Sequence, residues 1–114
     1  MANAVDAAAA RGELLLSPIT AWEIGMLVQK GRLTLATPAP DYVRALFGIP
    51  GVVTAALTPA IAVAATNLPG RLHADPADRI LVATAAAFEA RLVTRDSRLH
   101  AYARETKYIR CLAC

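Results

Sequence analysis

Short apolar runs alternate with longer helical stretches along this chain, and no other feature restricts its fold as tightly. The segment "ELLLS" (13–17) reads as a strand, followed by a helix from Pro18 to about Lys30 that Gly31 ends. A second helix runs from Pro38 to about Phe47, and then come the strand "VVTAAL" (52–57) and a helix opened by Thr58 and Pro59 and stopped at Pro69-Gly70. The strongest helical pattern extends from Pro76 to about Ala90, followed by the strand "RLVT" (91–94), a short helix from Ser97 to about Arg104, and the strand "KYIRCL" (107–112). This alternation predicts an α/β domain with a mainly parallel sheet, because parallel neighbours need crossover connections. Ligands of such sheets bind beyond the carboxyl ends of the strands.

The chain has 114 residues, the size of a single domain, so one core over residues 1–114 is expected. With 56% hydrophobic and 18% charged residues it has the balance of a folded protein and not of a disordered one. A formal charge of +3 is compatible with a polyanionic partner without demonstrating one. The start, "MANAVDAAAARGE", lacks a basic segment leading into an apolar core, so it does not read as a secretory signal and the cytoplasm is expected. The uncharged run between Arg44 and Arg71 is as long as a membrane span of ~20 residues. It is broken by Gly48, Pro50 and Gly51 and again by Thr58-Pro59, after which Ile61, Ala64, Ala65 and Leu68 recur at helical spacing, so it reads as a buried strand and helix.

Three carboxylates stand where an apolar surface is expected. Asp96 follows "LVTR" directly, at the exit of a strand. Asp78 lies in the first turn of the helix from Pro76, within about 60° of Leu81, Val82 and Ala85 on the helical wheel. Glu23, in "SPITAWEIGML", is one turn from both Ile19 and Leu27. Asp75 differs, because its place before Pro76 is that of an N-cap. Gathering several carboxylates in a protein interior costs several kcal/mol per ion, on the order given by desolvation, unless a cation compensates, and a divalent metal is the economical choice. The two cysteines, Cys111 and Cys114 in "CLAC", have no second pair, and only His73 and His100 could complete four ligands, so they read as incidental thiols and not as a zinc or redox site.

The segments "SPITAWEIGMLVQKGRL", "DPADRILVATA" and "LVTRDSRL" resemble, in order, the successive motifs of PIN-domain proteins, and specifically the VapC toxins of VapBC toxin–antitoxin systems. The resemblance runs from Leu14 onward. It implies a three-layer α/β/α domain that gathers acidic residues at one end of a parallel sheet, binds Mg2+ or Mn2+, and hydrolyses RNA, with transfer or ribosomal RNA as the class of target. On that resemblance Glu23, Asp78 and Asp96 match the catalytic, metal-binding acidic positions and Thr94 a position that supports the metal site. It further implies a homodimer held inactive by a VapB-like antitoxin, with the helices from Pro18 and Pro38 forming part of the groove that receives it. Hard cations select carboxylate oxygens and supply hydroxide near neutral pH, so no side-chain nucleophile is required.

The chain also departs from the family pattern. A first strand ending in aspartate, and the helix after it, are missing, and "NAVDAAAARG" resembles the helix that precedes the family's second strand, so Asp6 is not a substitute for the first acidic position. That first strand is central in the fold, so the chain is expected to be N-terminally truncated, marginal in stability and a poor nuclease. A truncated or misassigned start is the favoured explanation, ahead of a degraded gene or a gap filled by another chain. Two function classes follow: a metal-dependent endoribonuclease, or a catalytically incomplete PIN-like module that still binds an antitoxin or RNA.

Overall fold

The computed structural model describes residues 14–73, 75–94 and 96–113. Glu13, Asp6 and Cys114 therefore lie outside the described residues. Residues 14–56 and residues 57–113 form two compact units.

The first unit contains β1 (Leu14–Leu16), α1 (Pro18–Gln29), α2 (Ala39–Phe47) and β2 (Val52–Thr54). β1 and β2 pair in parallel, Leu14 opposite Val52 and Leu16 opposite Thr54, and the ladder ends with the Ala55 amide donating to the Leu16 carbonyl at 2.8 Å. The turn from β1 into α1 is set by Ser17, whose buried Oγ accepts from the Ile19 amide at 3.2 Å while Pro18 occupies the first helical position, where no amide is needed. None of the residues of α1 is buried, although most are apolar, and Trp22 is 54% exposed.

The second unit contains α3 (Pro59–Ala64), α4 (Pro76–Ala87), β3 (Arg91–Val93), α5 (Ser97–Thr106) and β4 (Arg110–Leu112). β3 and β4 are again parallel, with Arg91 opposite Arg110 and Val93 opposite Leu112. The main hydrophobic core lies here: Val82, Ala83 and Ala85 of α4 pack with Leu99, Tyr102 and Ala103 of α5, Ile61 and Leu68 from the α3 region, and Ile109. Parallel pairing and the order of strands and helices agree with the α/β reading. The ladders are shorter than expected, three residues each, and form two two-stranded sheets among the described residues where a single sheet was expected.

Two helices end earlier than their apolar patterns suggest. α3 was expected to continue to Leu68, but the chain turns after Ala64: the Thr66 and Asn67 amides bond three residues back, and the Ala65 carbonyl accepts from Arg79 Nε at 2.9 Å. α4 was expected to reach Ala90 and stops at Ala87, because Glu89 adopts a left-handed backbone (φ 51°) and the Ala90 amide bonds to the Ala85 carbonyl, a helix-terminating arrangement that lets β3 begin at once.

The Pro69-Gly70 turn is fixed against α5. Tyr102, 2% exposed, donates its hydroxyl proton to the Pro69 carbonyl at 2.6 Å, and Gly70 has φ +70° with so little room that a Cβ there would lie 2.6 Å from Thr106 Cγ2. Gly70→Ala is expected to lower the unfolding free energy by about 1–2 kcal/mol from backbone strain alone, with the contact at Thr106 adding to it, read as a lower midpoint in urea.

Candidate metal and RNA-cleavage site

The first turn of α4 brings Asp75 and Asp78 together with His73. Asp75 caps the helix, its Oδ1 accepting from the Ala77 amide at 3.0 Å and the Asp78 amide at 3.5 Å, as its place before Pro76 indicated. Asp78 sits three residues on, half-buried, and its Oδ2 lies 2.7 Å from His73 Nε2. With the carboxylate ionised, that nitrogen carries the proton and donates it. Ligand atoms of His73, Asp75 and Asp78 all fall within 4.8 Å of one another. Carboxylate oxygens this close together would suit a hard divalent cation such as Mg2+. The donor set suits a hard cation through Asp78 and Asp75, while His73 is better suited to orienting the Asp78 carboxylate than to ligating magnesium itself.

The exit of β3 carries Thr94 and Asp96. Thr94 is fixed by three contacts: its amide donates to the Leu112 carbonyl (3.0 Å), its Oγ1 accepts from the Asp96 amide (3.1 Å), and its carbonyl accepts from His100 Nε2 (2.9 Å). Thr94 thus holds the backbone of Asp96. Asp96 caps α5, accepting from the Arg98 amide at 2.8 Å, and its carboxylate is gripped by the Arg98 guanidinium through Nε (3.2 Å) and Nη2 (2.9 Å).

Arg98 holds the Asp96 carboxyl below the usual carboxylate range, through its side-chain and backbone hydrogen bonds, with a smaller attraction from His73. Asp96 and, more weakly, Asp78 and Asp75 in turn raise the Arg98 guanidinium. Among the described residues the close group of ligand atoms is that of His73, Asp75 and Asp78, and Asp96 is not part of it. A depressed folded-state pKa gives a contribution to stability that is complete above the unfolded value near ~4 and is lost as the pH falls from there through the folded value. Wild type is accordingly expected to lose stability relative to Asp96→Asn over that acid range, measured as the difference between their unfolding midpoints at a series of pH values.

Glu23 is carried by α1 in the first unit, half-buried. His73, His100, Arg79 and Arg98 were not singled out as site residues from the sequence. The visible signal for His73 was the spacing His-x-Asp-x-x-Asp around a helix start, where a side chain two residues before the cap can fold back over the first turn. Cys111 packs against the core with its Sγ 3.6 Å from the Leu99 carbonyl, and burial pushes its thiol pKa up, which disfavours the thiolate that metal binding or redox exchange needs.

A model of the PIN domain family matches residues 2–105 of the chain. The chain is also 37% identical over 90 residues to a curated protein, Ribonuclease VapC22 of Mycobacterium tuberculosis, the aligned region covering 79% of this chain and 68% of that one. No solved structure gives a significant match.

Proposed function

The chain belongs to the PIN domain family, and from that premise we propose that it is a metal-dependent endoribonuclease of the VapC type. The observation that carries this reading is that the family match spans Glu23, Asp78, Thr94 and Asp96 together. In this reading Glu23, Asp78 and Asp96 are the metal-binding and catalytic carboxylates, and Thr94 holds the backbone from which Asp96 projects. Mg2+ or Mn2+ held by these oxygens supplies hydroxide near neutral pH and screens the charge developing on the phosphodiester. His73 keeps the Asp78 carboxylate oriented by donating to one of its oxygens, which leaves the other for the metal. Arg98 pairs with Asp96, and its guanidinium would be free to hold a phosphate oxygen if that carboxylate bound a metal.

The reading extends to partners. RNA, of the transfer or ribosomal class, is the substrate. A VapB-like antitoxin and a second copy of the chain, meeting it in the cytoplasm, are the protein partners. In the first unit Trp22, Tyr42 and Ile49 are large apolar side chains left exposed, the kind of surface an antitoxin segment covers.

The test is cleavage of total RNA by the purified chain with millimolar Mg2+ or Mn2+. Cleavage that EDTA stops supports the reading. Cleavage indifferent to EDTA overturns metal dependence, and RNA or antitoxin binding without cleavage moves the protein to the binding-module class.

A further inference from the structure

The second unit also carries an open cleft of about 620 Å3 lined by His100, Arg104, Lys107 and Arg110, with Ile109 and Cys111 among the apolar residues along it. We propose that this cleft binds the phosphate backbone of the RNA, holding the strand beside the scissile phosphate. The proposal rests on RNA being the substrate, as argued above, and adds where the strand lies.

Three observations point to a polyanion. First, Arg104, Lys107 and Arg110 are all exposed, none makes an ion pair with a described residue, and the residues lining the cleft include no acidic side chain. Arg110 also stands opposite Arg91 in the parallel register of β3 and β4, a like-charge pairing that is unfavourable until an anion arrives.

Second, Lys107 adopts a left-handed backbone, φ 56° and ψ 18°, as it ends α5. A glycine takes that conformation without a steric penalty and is the common residue at such helix ends. A bulky side chain kept in an unfavourable backbone region is a reason to ask what the side chain does. Cations near a helix C-terminus are favoured by its dipole, which accounts for Arg104 and in part for Lys107. It does not account for Arg110, which is on the strand.

Third, one end of the cleft, at His100, lies near Asp96. His100 lines it and lies one helical turn from Asp96, tied to the Thr94 carbonyl. From Asp96 to Lys107 the helix covers roughly 16 Å at 1.5 Å per residue, a distance one short RNA strand bridges. The cations are spread along a helix end and a strand and do not converge on one point, which suits an extended phosphate backbone better than a free phosphate ion.

The experiment is fluorescence anisotropy of a labelled single-stranded RNA with the whole 114-residue chain, in EDTA so that nothing is cut, over a series of salt concentrations. Arg104→Gln/Lys107→Gln/Arg110→Gln is expected to raise Kd by about tenfold or more at low salt and to flatten the log Kd against log salt slope by about 2, three phosphate contacts at ~0.7 each. Lys30→Gln/Arg32→Gln in the first unit is expected to leave the slope unchanged. Lys107→Gly separates binding from folding, because it should raise the melting temperature by a few degrees while weakening RNA binding about two- to threefold. An unchanged Kd and slope in the folded triple variant overturns the proposal, as does an equal loss in the first-unit control or displacement of RNA by millimolar inorganic phosphate at constant ionic strength. If the triple variant does not fold, Lys107→Gly decides by the same opposition of stability and affinity. Unchanged RNA binding with metal-dependent cleavage intact would remove the cleft and leave the ribonuclease reading standing. Weakened binding in a chain that never cleaves would do the reverse.

Discussion

Asp78→Asn is expected to reduce metal-dependent RNA cleavage about 100-fold or more and to leave the fold nearly untouched. The substitution keeps the shape of the side chain and an oxygen for His73, but removes the negative charge a hard cation requires. Asp75→Asn is the informative contrast. Asparagine caps a helix as well as aspartate does, so if Asp75 serves its own helix amides, both stability and cleavage survive, whereas Asp75→Ala loses about 1 kcal/mol of stability. His73→Ala falls between them, with a roughly 10- to 100-fold loss of Mn2+ affinity, since it removes the group that orients a ligand and not the ligand itself. Cleavage rates, Mn2+ titration by calorimetry and a thermal melt on the same four proteins separate these cases. Equal loss of cleavage in Asp75→Asn and Asp78→Asn would show that both carboxylates hold the metal.

The starts of the elements were legible because they are written in local chemistry. Ser17-Pro18, Thr58-Pro59 and Asp75-Pro76 each place a side-chain acceptor before a proline, and each forms the expected cap. Asp96 shows the limit of such a reading, since one carboxylate both caps α5 and pairs with Arg98, and it is also one we propose for the metal site. Helix ends were less legible. The apolar spacing of Ile61, Ala65 and Leu68 is real, and all three are buried, yet Leu68 reaches the core from a turn and not from a helix, because tertiary hydrogen bonds capture the backbone after Ala64. Periodicity reports which side chains face inward and leaves open whether the backbone between them stays helical. His73 and Arg98 escaped for a related reason: each acts across a turn on a carboxylate a few residues away, and a charged residue near a helix start has many solvated positions open to it.

Arg79 joins the fold to the site. It follows Asp78 directly, and its guanidinium donates to two backbone carbonyls, Ala65 through Nε at 2.9 Å and Leu72 through Nη1 at 3.2 Å. Ala65 is 5% exposed, so water is poorly placed to replace that donor. Hydrogen bonds from a charged group contribute about 1.5–3 kcal/mol each, so Arg79→Met, which keeps the length of the side chain and removes every donor, is expected to cost about 3 kcal/mol or more. Against a total of ~5–15 kcal/mol that is a large fraction. Arg79→Lys should recover part of it, because one ammonium cannot reproduce the two directions in which the planar guanidinium donates. The second consequence is local. The Leu72 carbonyl belongs to the residue before His73, so freeing it loosens the segment that brings His73 against Asp78. Urea unfolding measures the first effect, and Mn2+ affinity under conditions where the variant is still folded measures the second. A variant with an unchanged midpoint would show that the two carbonyls find other partners. A lowered midpoint with undiminished Mn2+ affinity would show that Asp78 keeps its orientation without His73 being held, set by the first turn of α4 alone.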